Sequence, residues 1–391
     1  MSSPAEPLEP LALSEIRLDE DIVVHIEGLK KHFELRRGFL KSLRGDRIYV
    51  RAVDGVSFDL RRGEILSLVG ESGCGKTTTG RLIARLETPT EGRIVIRKAR
   101  GEDGGEVGPG LVDLASLDGR ALFSFRRDFQ MIFQDPYESL NPRFNVLRAV
   151  SEPLVIHGIG ETREQRAELV IKALEESGLR PGRDFLDRFP HELSGGQRQR
   201  VAIARAIILN PKVIIADEPV SMLDVSIRAG VMNLMLDLRA EHQIPYVFIT
   251  HDIAVARYMS DRIAVMYLGR IVETAPTEEV IAHPTHPYTR ALLSAVPIPD
   301  PAHEYVEIPI KGELPSPIDL PSGCRFRTRC LFAQEICKTT EPPNIEVSPG
   351  HFAECHFAHD IYEGRLVEPP MAVTAASPEP VPEGHLESGG T

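Results

Sequence analysis

Gly70-Glu71-Ser72-Gly73-Cys74-Gly75-Lys76-Thr77 sets three glycines, a lysine and two hydroxyl side chains in one short run. The run has the form G-x-x-x-x-G-K-[ST], in which backbone N–H groups turn inward around phosphate. An apolar run, Ile65 to Val69, precedes it, and a helical stretch, Thr77 to Leu86, follows. That strand–loop–helix context is what the pattern needs, and the helix start adds partial positive charge. Gly70, Glu71, Ser72, Gly73, Cys74, Gly75, Lys76, Thr77 and Thr78 are therefore expected to hold a nucleotide. Lys76 would reach the β and γ phosphates, and the Thr77 hydroxyl would ligate Mg2+. A glycine-rich turn with an incidental lysine is the bland alternative, which the full pattern disfavours.

A second group follows a different apolar run. Ile214-Ile215-Ala216 ends in Asp217-Glu218, which places one carboxylate at the carboxyl edge of a buried strand. There Asp217 can hold Mg2+ through water, while Glu218 points elsewhere and can orient an attacking water. Alone, such an acidic pair serves equally well as a helix cap. Beside a phosphate loop it predicts a site for nucleoside triphosphate hydrolysis.

These groups need a scaffold, and the apolar pattern supplies one. Short β-rich runs (Val23 to Ile26, Val56 to Phe58, Ile65 to Val69) alternate with helical stretches, which predicts an α/β fold with a largely parallel sheet. Val213 to Ala216 and Tyr246 to Ile249 are continuous and apolar, as buried central strands are. Between them Leu223 to His242 has helical spacing, and residues 143–207 are mostly helical in pattern. Residues 100–110 read as a coreless loop. The expected organisation is a disordered lead over 1–20, a nucleotide-binding domain over 21–285, a Pro-, Cys- and His-containing module over 286–365, and a disordered tail over 366–391.

Leu193-Ser194-Gly195-Gly196-Gln197, followed by Arg198-Gln199-Arg200, is similar to the signature sequence of the ATP-binding-cassette (ABC) family. As a lone Ser-Gly-Gly it would be a routine helix-start loop; after a phosphate loop and before Asp217 it stands in the family's order. Gln134, in Ile132-Phe133-Gln134-Asp135, resembles the Q-loop glutamine, which touches Mg2+ or the attacking water and faces the membrane subunits. Asp224 resembles the D-loop residue that crosses between two cassettes, and His251 the switch histidine that contacts the γ-phosphate. Tyr49 is the candidate aromatic under adenine, or a core strand residue. The resemblance implies a P-loop NTPase of the ABC cassette type, with a parallel core sheet, an antiparallel β-subdomain and a helical subdomain. It implies ATP and Mg2+ as ligands, Glu218, His251 and Gln134 as catalytic residues, and a head-to-tail dimer in which Ser194, Gly195, Gly196 and Gln197 close on the partner's nucleotide.

His283-Pro284-Thr285-His286-Pro287-Tyr288-Thr289-Arg290-Ala291-Leu292-Leu293 resembles a segment of the ATP-binding subunits of oligopeptide/dipeptide importers, a group that includes nickel and glutathione importers. That resemblance implies two transmembrane permease subunits, an extracytoplasmic solute-binding protein, a second cassette that is identical or related, and a peripheral position on the cytoplasmic face of the inner membrane. Cys324, Cys330, Cys337 and Cys355 follow a C-x5-C-x6-C-x17-C pattern without the close C-x2-C pairs usual for zinc. Four thiolates at irregular spacing suit a 4Fe–4S cluster, as the resemblance also implies; zinc with His351 or His356, or unliganded thiols, are the alternatives. Cys74 stands apart from this set.

The chain has 391 residues with 45 Lys+Arg against 57 Asp+Glu, a net charge of −12. That acidity disfavours non-specific nucleic-acid binding, so a DNA-repair or translation-factor ATPase is the weaker alternative. No long apolar run is present, which disfavours an exporter with fused membrane helices. The N-terminus has neither the basic start nor the apolar stretch of a secretory signal.

Overall fold

The computed structural model describes residues 16–35, 48–97, 110–295, 308, 310 and 312–366. β1 (Ile22–Leu35), β2 (Ile48–Arg61), β4 (Glu91–Arg97) and β5 (Leu111–Asp113) form an antiparallel sheet in the order β2-β1-β4-β5. A larger sheet holds β3 (Ile65–Val69), β6 (Phe129–Ile132), β7 (Val213–Asp217), β8 (Tyr246–Thr250) and β9 (Arg262–Tyr267), ordered β9-β3-β8-β7-β6 and mutually parallel.

Strand side chains alternate between faces, and here both faces are covered. Leu66, Leu68, Ile215, Val247 and Ile249 pack toward the antiparallel sheet and α1 (Lys76–Ile83). Ile65, Ile214, Ala216, Tyr246 and Phe248 pack against α6 (Gly195–Ile207) and α7 (Val225–His242). This double burial is why the runs read as continuous apolar sequence. α1 ends sooner than expected because Arg85 takes a left-handed conformation, φ 52. α7 starts at Val225, where Asp224 holds the N-cap position without a side-chain cap hydrogen bond.

The short helices α2 (Gly119–Arg126) and α3 (Pro136–Ser139) lead into a helical layer with its own core. It comprises α4 (Val146–Ile156), α5 (Arg163–Glu176) and the first turns of α6. Asn145 caps α4, and Thr162 with Gln165 forms a capping box on α5. α8 (Ile253–Met259) follows β8, with the Asp252 carboxylate accepting from the N–H groups of Ala254 and Val255.

The sheet continues across the expected boundary at 285/286. β10 (Arg270–Pro276) pairs with β9, and β12 (His351–Glu354) adds to β10, with β11 (Asn344–Ser348) at the edge. Between them lie α9 (Thr277–Ala282), α10 (Pro287–Ser294) and α11 (Ile336–Thr339), and α12 (Ala358–Tyr362) follows. The fully buried carboxylate of Glu273 on β10 accepts from the N–H groups of Thr285 (2.7 Å) and His286 (2.9 Å) and lies 2.7 Å from the buried His351 Nε2. A buried carboxylate with this many partners fixes the register of the C-terminal segment against β10. Residues 1–15, the 98–109 stretch and residues 367–391, where a lead, a loop and a tail were expected, lie outside the described residues.

Candidate active site

The phosphate loop connects β3 to α1 and is glycine-dependent for steric reasons. Gly70, Gly73 and Gly75 have φ of 150°, 80° and 112°, values that side-chain-bearing residues rarely adopt. A Cβ on Gly70 would lie 2.3 Å from the Met266 carbonyl oxygen, and one on Gly75 2.3 Å from that of Ala52. Lys76 is buried, and its Nζ donates to the carbonyl oxygens of Gly70 (2.7 Å) and Glu71 (3.0 Å) across the loop. Ser72 and Gly73 are exposed at the loop's rim, and Thr77 and Thr78 lie in the first turn of α1. A backbone cradle with a buried ammonium at its centre fits a polyphosphate. Cys74 is fully buried, and burial pushes its thiol pKa up despite the nearby Lys76.

Thr77 Oγ1 donates to Asp217 Oδ1 at 3.0 Å, so a hydroxyl and a buried carboxylate stand together beside the loop. Burial raises the Asp217 pKa, and the Thr77 hydrogen bond opposes the rise. This hard-oxygen donor pair fits Mg2+, which holds few protein ligands and keeps its waters and substrate phosphates. Glu218 takes φ 46, a strained conformation for such a residue. Glu218 Oε1 lies 3.0 Å from His251 Nδ1, and Oε2 accepts from Gln134 Nε2 at 3.2 Å. Three residues drawn from the ends of β6, β7 and β8 thus converge at the carboxyl edge of the sheet.

Ser194 caps α6: its Oγ accepts from Gln197 N at 3.3 Å, and Gln197 Oε1 accepts from Ser194 N at 3.0 Å. Gly196 packs against α7, where a Cβ would come 2.5 Å from Ile227 Cγ2, while Gly195 has more room. Among the described residues no hydrogen bond or ion pair joins Ser194 to Gln197 with residues 70–78. Asp224 is flanked by Met222 and Val225, which are 64% and 80% exposed. Tyr49 is partly exposed on β2, the strand whose Ala52 oxygen abuts Gly75.

Cys324, Cys330, Cys337 and Cys355 line one small cavity together with Phe326, Phe332 and Phe357. Burial pushes the thiol pKa of Cys324 up to about 11 and those of Cys330 and Cys355 up to about 12. Among the described residues no group of three His, Cys, Asp or Glu is placed to hold a metal ion. The two histidines offered for zinc have protein partners. His351 is held by Glu273, and His356 Nε2 lies 3.1 Å from the Thr340 carbonyl oxygen.

The sequence reading missed the contacts that the C-terminal segment makes with the loop. Arg329 Nη1 lies 3.1 Å from both carboxylate oxygens of Glu71, and Tyr288 OH accepts from Glu71 N at 2.9 Å. Tyr288 stands in a segment singled out above, and Arg329 adjoins Cys330, but nothing in either pattern points toward residue 71.

Comparison with known proteins converges on one family. Residues 53–221 match the ABC transporter family, and residues 272–337 match the oligopeptide/dipeptide transporter C-terminal region. The chain is 47% identical over 341 residues to the oligopeptide transport ATP-binding protein AppF of Bacillus subtilis, covering 86% of this chain and 98% of that protein. It is 48% identical over 338 residues to a putative peptide import ATP-binding protein of Brucella ovis, with coverage of 86% and 98%. Among solved structures, the dimeric post-hydrolysis state of the ATP-binding cassette MJ0796 bound to ADP and Pi is similar. It aligns at 31% identity and a TM-score of 0.53, covering 65% of this chain and 98% of that one.

Proposed function

The chain belongs to the ABC transporter ATP-binding family, with the C-terminal region of its oligopeptide/dipeptide branch, and from that membership we propose that it hydrolyses ATP to energise uptake of oligopeptides or dipeptides across the cytoplasmic membrane. The observation that carries the hydrolytic part is the convergence of Glu218, His251 and Gln134 beside the Lys76 loop. In this reading Gly70 to Thr78 bind the phosphates, and Lys76 exchanges its two loop carbonyls for β and γ oxygens. Thr77, Asp217 and Gln134 are the residues that would hold Mg2+, which supplies charge neutralisation at the β and γ oxygens when bound. Glu218 accepts a hydrogen bond from the attacking water and raises its nucleophilicity. Gln134 and His251 hold that carboxylate from both sides, leaving His251 Nε2 for the γ-phosphate. Tyr49 stacks on adenine.

The second half of each site comes from another cassette. Ser194 to Gln197 offer backbone N–H groups at a helix start, a favourable place for the partner's γ-phosphate. Exposed Met222 and Val225 beside Asp224 supply apolar surface for that contact. ATP then joins two cassettes, and hydrolysis releases them.

Two permease subunits and a solute-binding protein complete the proposed importer. No helix among the described residues is long and apolar enough to cross a membrane, so the chain would sit peripherally on the cytoplasmic face by docking. The docking groove proposed here lies between α2, β6 and α4, where Leu86, Phe123, Phe133 and Ile156 are all exposed. An apolar patch this open suits a protein partner, and Phe133 adjoins Gln134, which links the groove to the γ-phosphate side. Ile156→Asp is expected to move the protein from the membrane fraction of permease-expressing cells into the supernatant while ATP binding persists. Membrane recovery equal to wild type would contradict this docking face.

The shared cavity supports a proposed 4Fe–4S cluster, since Cys324, Cys330, Cys337 and Cys355 all line one space. Loading would displace protons from Cys324, Cys330 and Cys355, whose thiols burial holds protonated, and its binding energy would become folding energy for a segment with small local cores. Anaerobically purified protein is expected to be brown. Cys330→Ser should bleach it and lower the thermal midpoint; colourless wild-type protein without bound iron would sink the cluster.

A further inference from the structure

The seven residues from Cys324 to Cys330 reach from the Cys-lined cavity to the phosphate loop. Arg325 donates to the Leu268 carbonyl oxygen and pairs with Asp54 on β2. The next residue, Gly269, donates its N–H to the Cys74 carbonyl oxygen at 2.8 Å. Four positions later, Arg329 meets Glu71 with one nitrogen equidistant from both carboxylate oxygens. Tyr288 OH takes the Glu71 N–H. The loop is thus gripped at Cys74 from one side and at Glu71 from the other.

The grip is built rather than incidental. Arg329 is only 8% exposed, and a buried arginine needs compensation for its desolvation. It lies over the Tyr267 ring, 5.8 Å from the centroid. Tyr267 packs on Tyr288 at 4.7 Å and on Phe326 at 5.2 Å, so three aromatic rings support the guanidinium from below. Tight turns closed by Arg327 N to Cys324 O and Arg329 N to Phe326 O fix the arginine's backbone. The Glu71 backbone carbonyl is one of the two carbonyl acceptors of Lys76 Nζ. Whatever sets the position of Glu71 therefore sets the position of the ammonium's partner.

We propose that Arg329, with Tyr288, is a positioning residue for nucleotide binding: it anchors Glu71 so that the phosphate loop is held in its binding shape before ATP arrives. The proposal rests on the reading of residues 70–78 as the phosphate loop. Pre-ordering a loop lowers the conformational cost of binding. Loss of the anchor should therefore weaken ATP binding without altering the residues that act on the attacking water.

The test measures affinity for a fluorescent ATP analogue with Mg2+, and KM and kcat for ATP hydrolysis, on the full chain. Arg329→Met is expected to raise Kd about tenfold, the scale of one charge-assisted contact. KM should rise in parallel while kcat stays within about twofold, since Glu218 is untouched. Arg329→Lys should recover most of the affinity, because it restores the charge within reach of Glu71. Glu71→Gln, which keeps the side chain's shape, should match Arg329→Met and provides the readout should that variant fold poorly. The double variant should be no weaker than either single one. Wild-type affinity in both Arg329→Met and Glu71→Gln, with Lys76→Ala losing binding, would overturn the anchor alone. Normal binding by Lys76→Ala would overturn the phosphate-loop reading and the anchor with it.

Discussion

Glu218→Gln is expected to abolish steady-state ATP hydrolysis, by about 1,000-fold, while leaving ATP binding intact. The amide has nearly the same shape as the carboxylate but cannot polarise water, and it can still engage Gln134 and His251 at 3.2 and 3.0 Å. Binding without hydrolysis should trap two cassettes around ATP, so the variant should elute as a dimer in ATP and as a monomer after ATP is removed. The two adjacent acids have different partners, Asp217 meeting Thr77 and Glu218 meeting Gln134 and His251, so they need not share a role. Hydrolysis at the wild-type rate by Glu218→Gln would show that the water is activated elsewhere.

Lys76→Ala is expected to weaken ATP binding by about 100-fold, about 2.8 kcal/mol, and to prevent the ATP-dependent dimer altogether. The Lys76 ammonium is buried and already paired with two loop carbonyls. Its removal costs both the phosphate contact and the cross-brace that holds the loop closed around it. Isothermal titration with ATP and Mg2+ reads the affinity directly. The two variants should thus separate: one binds and stalls, the other does not bind.

The convergence of Glu218, His251 and Gln134 was legible in the sequence because each follows a strand with a distinctive neighbourhood. Val69 leads into the loop, Ala216 into Asp217-Glu218, and Ile249 into His251, and a parallel sheet brings its carboxyl ends to one edge. The double-sided burial that makes β3, β7 and β8 continuous apolar runs is the same fact that made them easy to find. What could not be read was pairing at long range. Glu71 and Arg329 lie far apart in the chain and belong to segments of different composition, so no local period joins them. The β11–β12 hairpin likewise extends the main sheet through only a few residues of β10. Its place against β10 is held by the buried Glu273–His351 contact, which no local pattern announces. The boundary expected from the shift in composition at 285/286 falls within continuous packing.

The most direct measurement is ATP-dependent uptake of a labelled oligopeptide into vesicles carrying the two permease subunits, with this chain supplied as the cassette and the solute-binding protein on the outer side. The account predicts accumulation that requires ATP inside, requires this chain, and disappears with Glu218→Gln although that variant still binds ATP. Peptide accumulation that persists with Glu218→Gln, or brisk ATP hydrolysis by the complete assembly with no peptide entering, would contradict it.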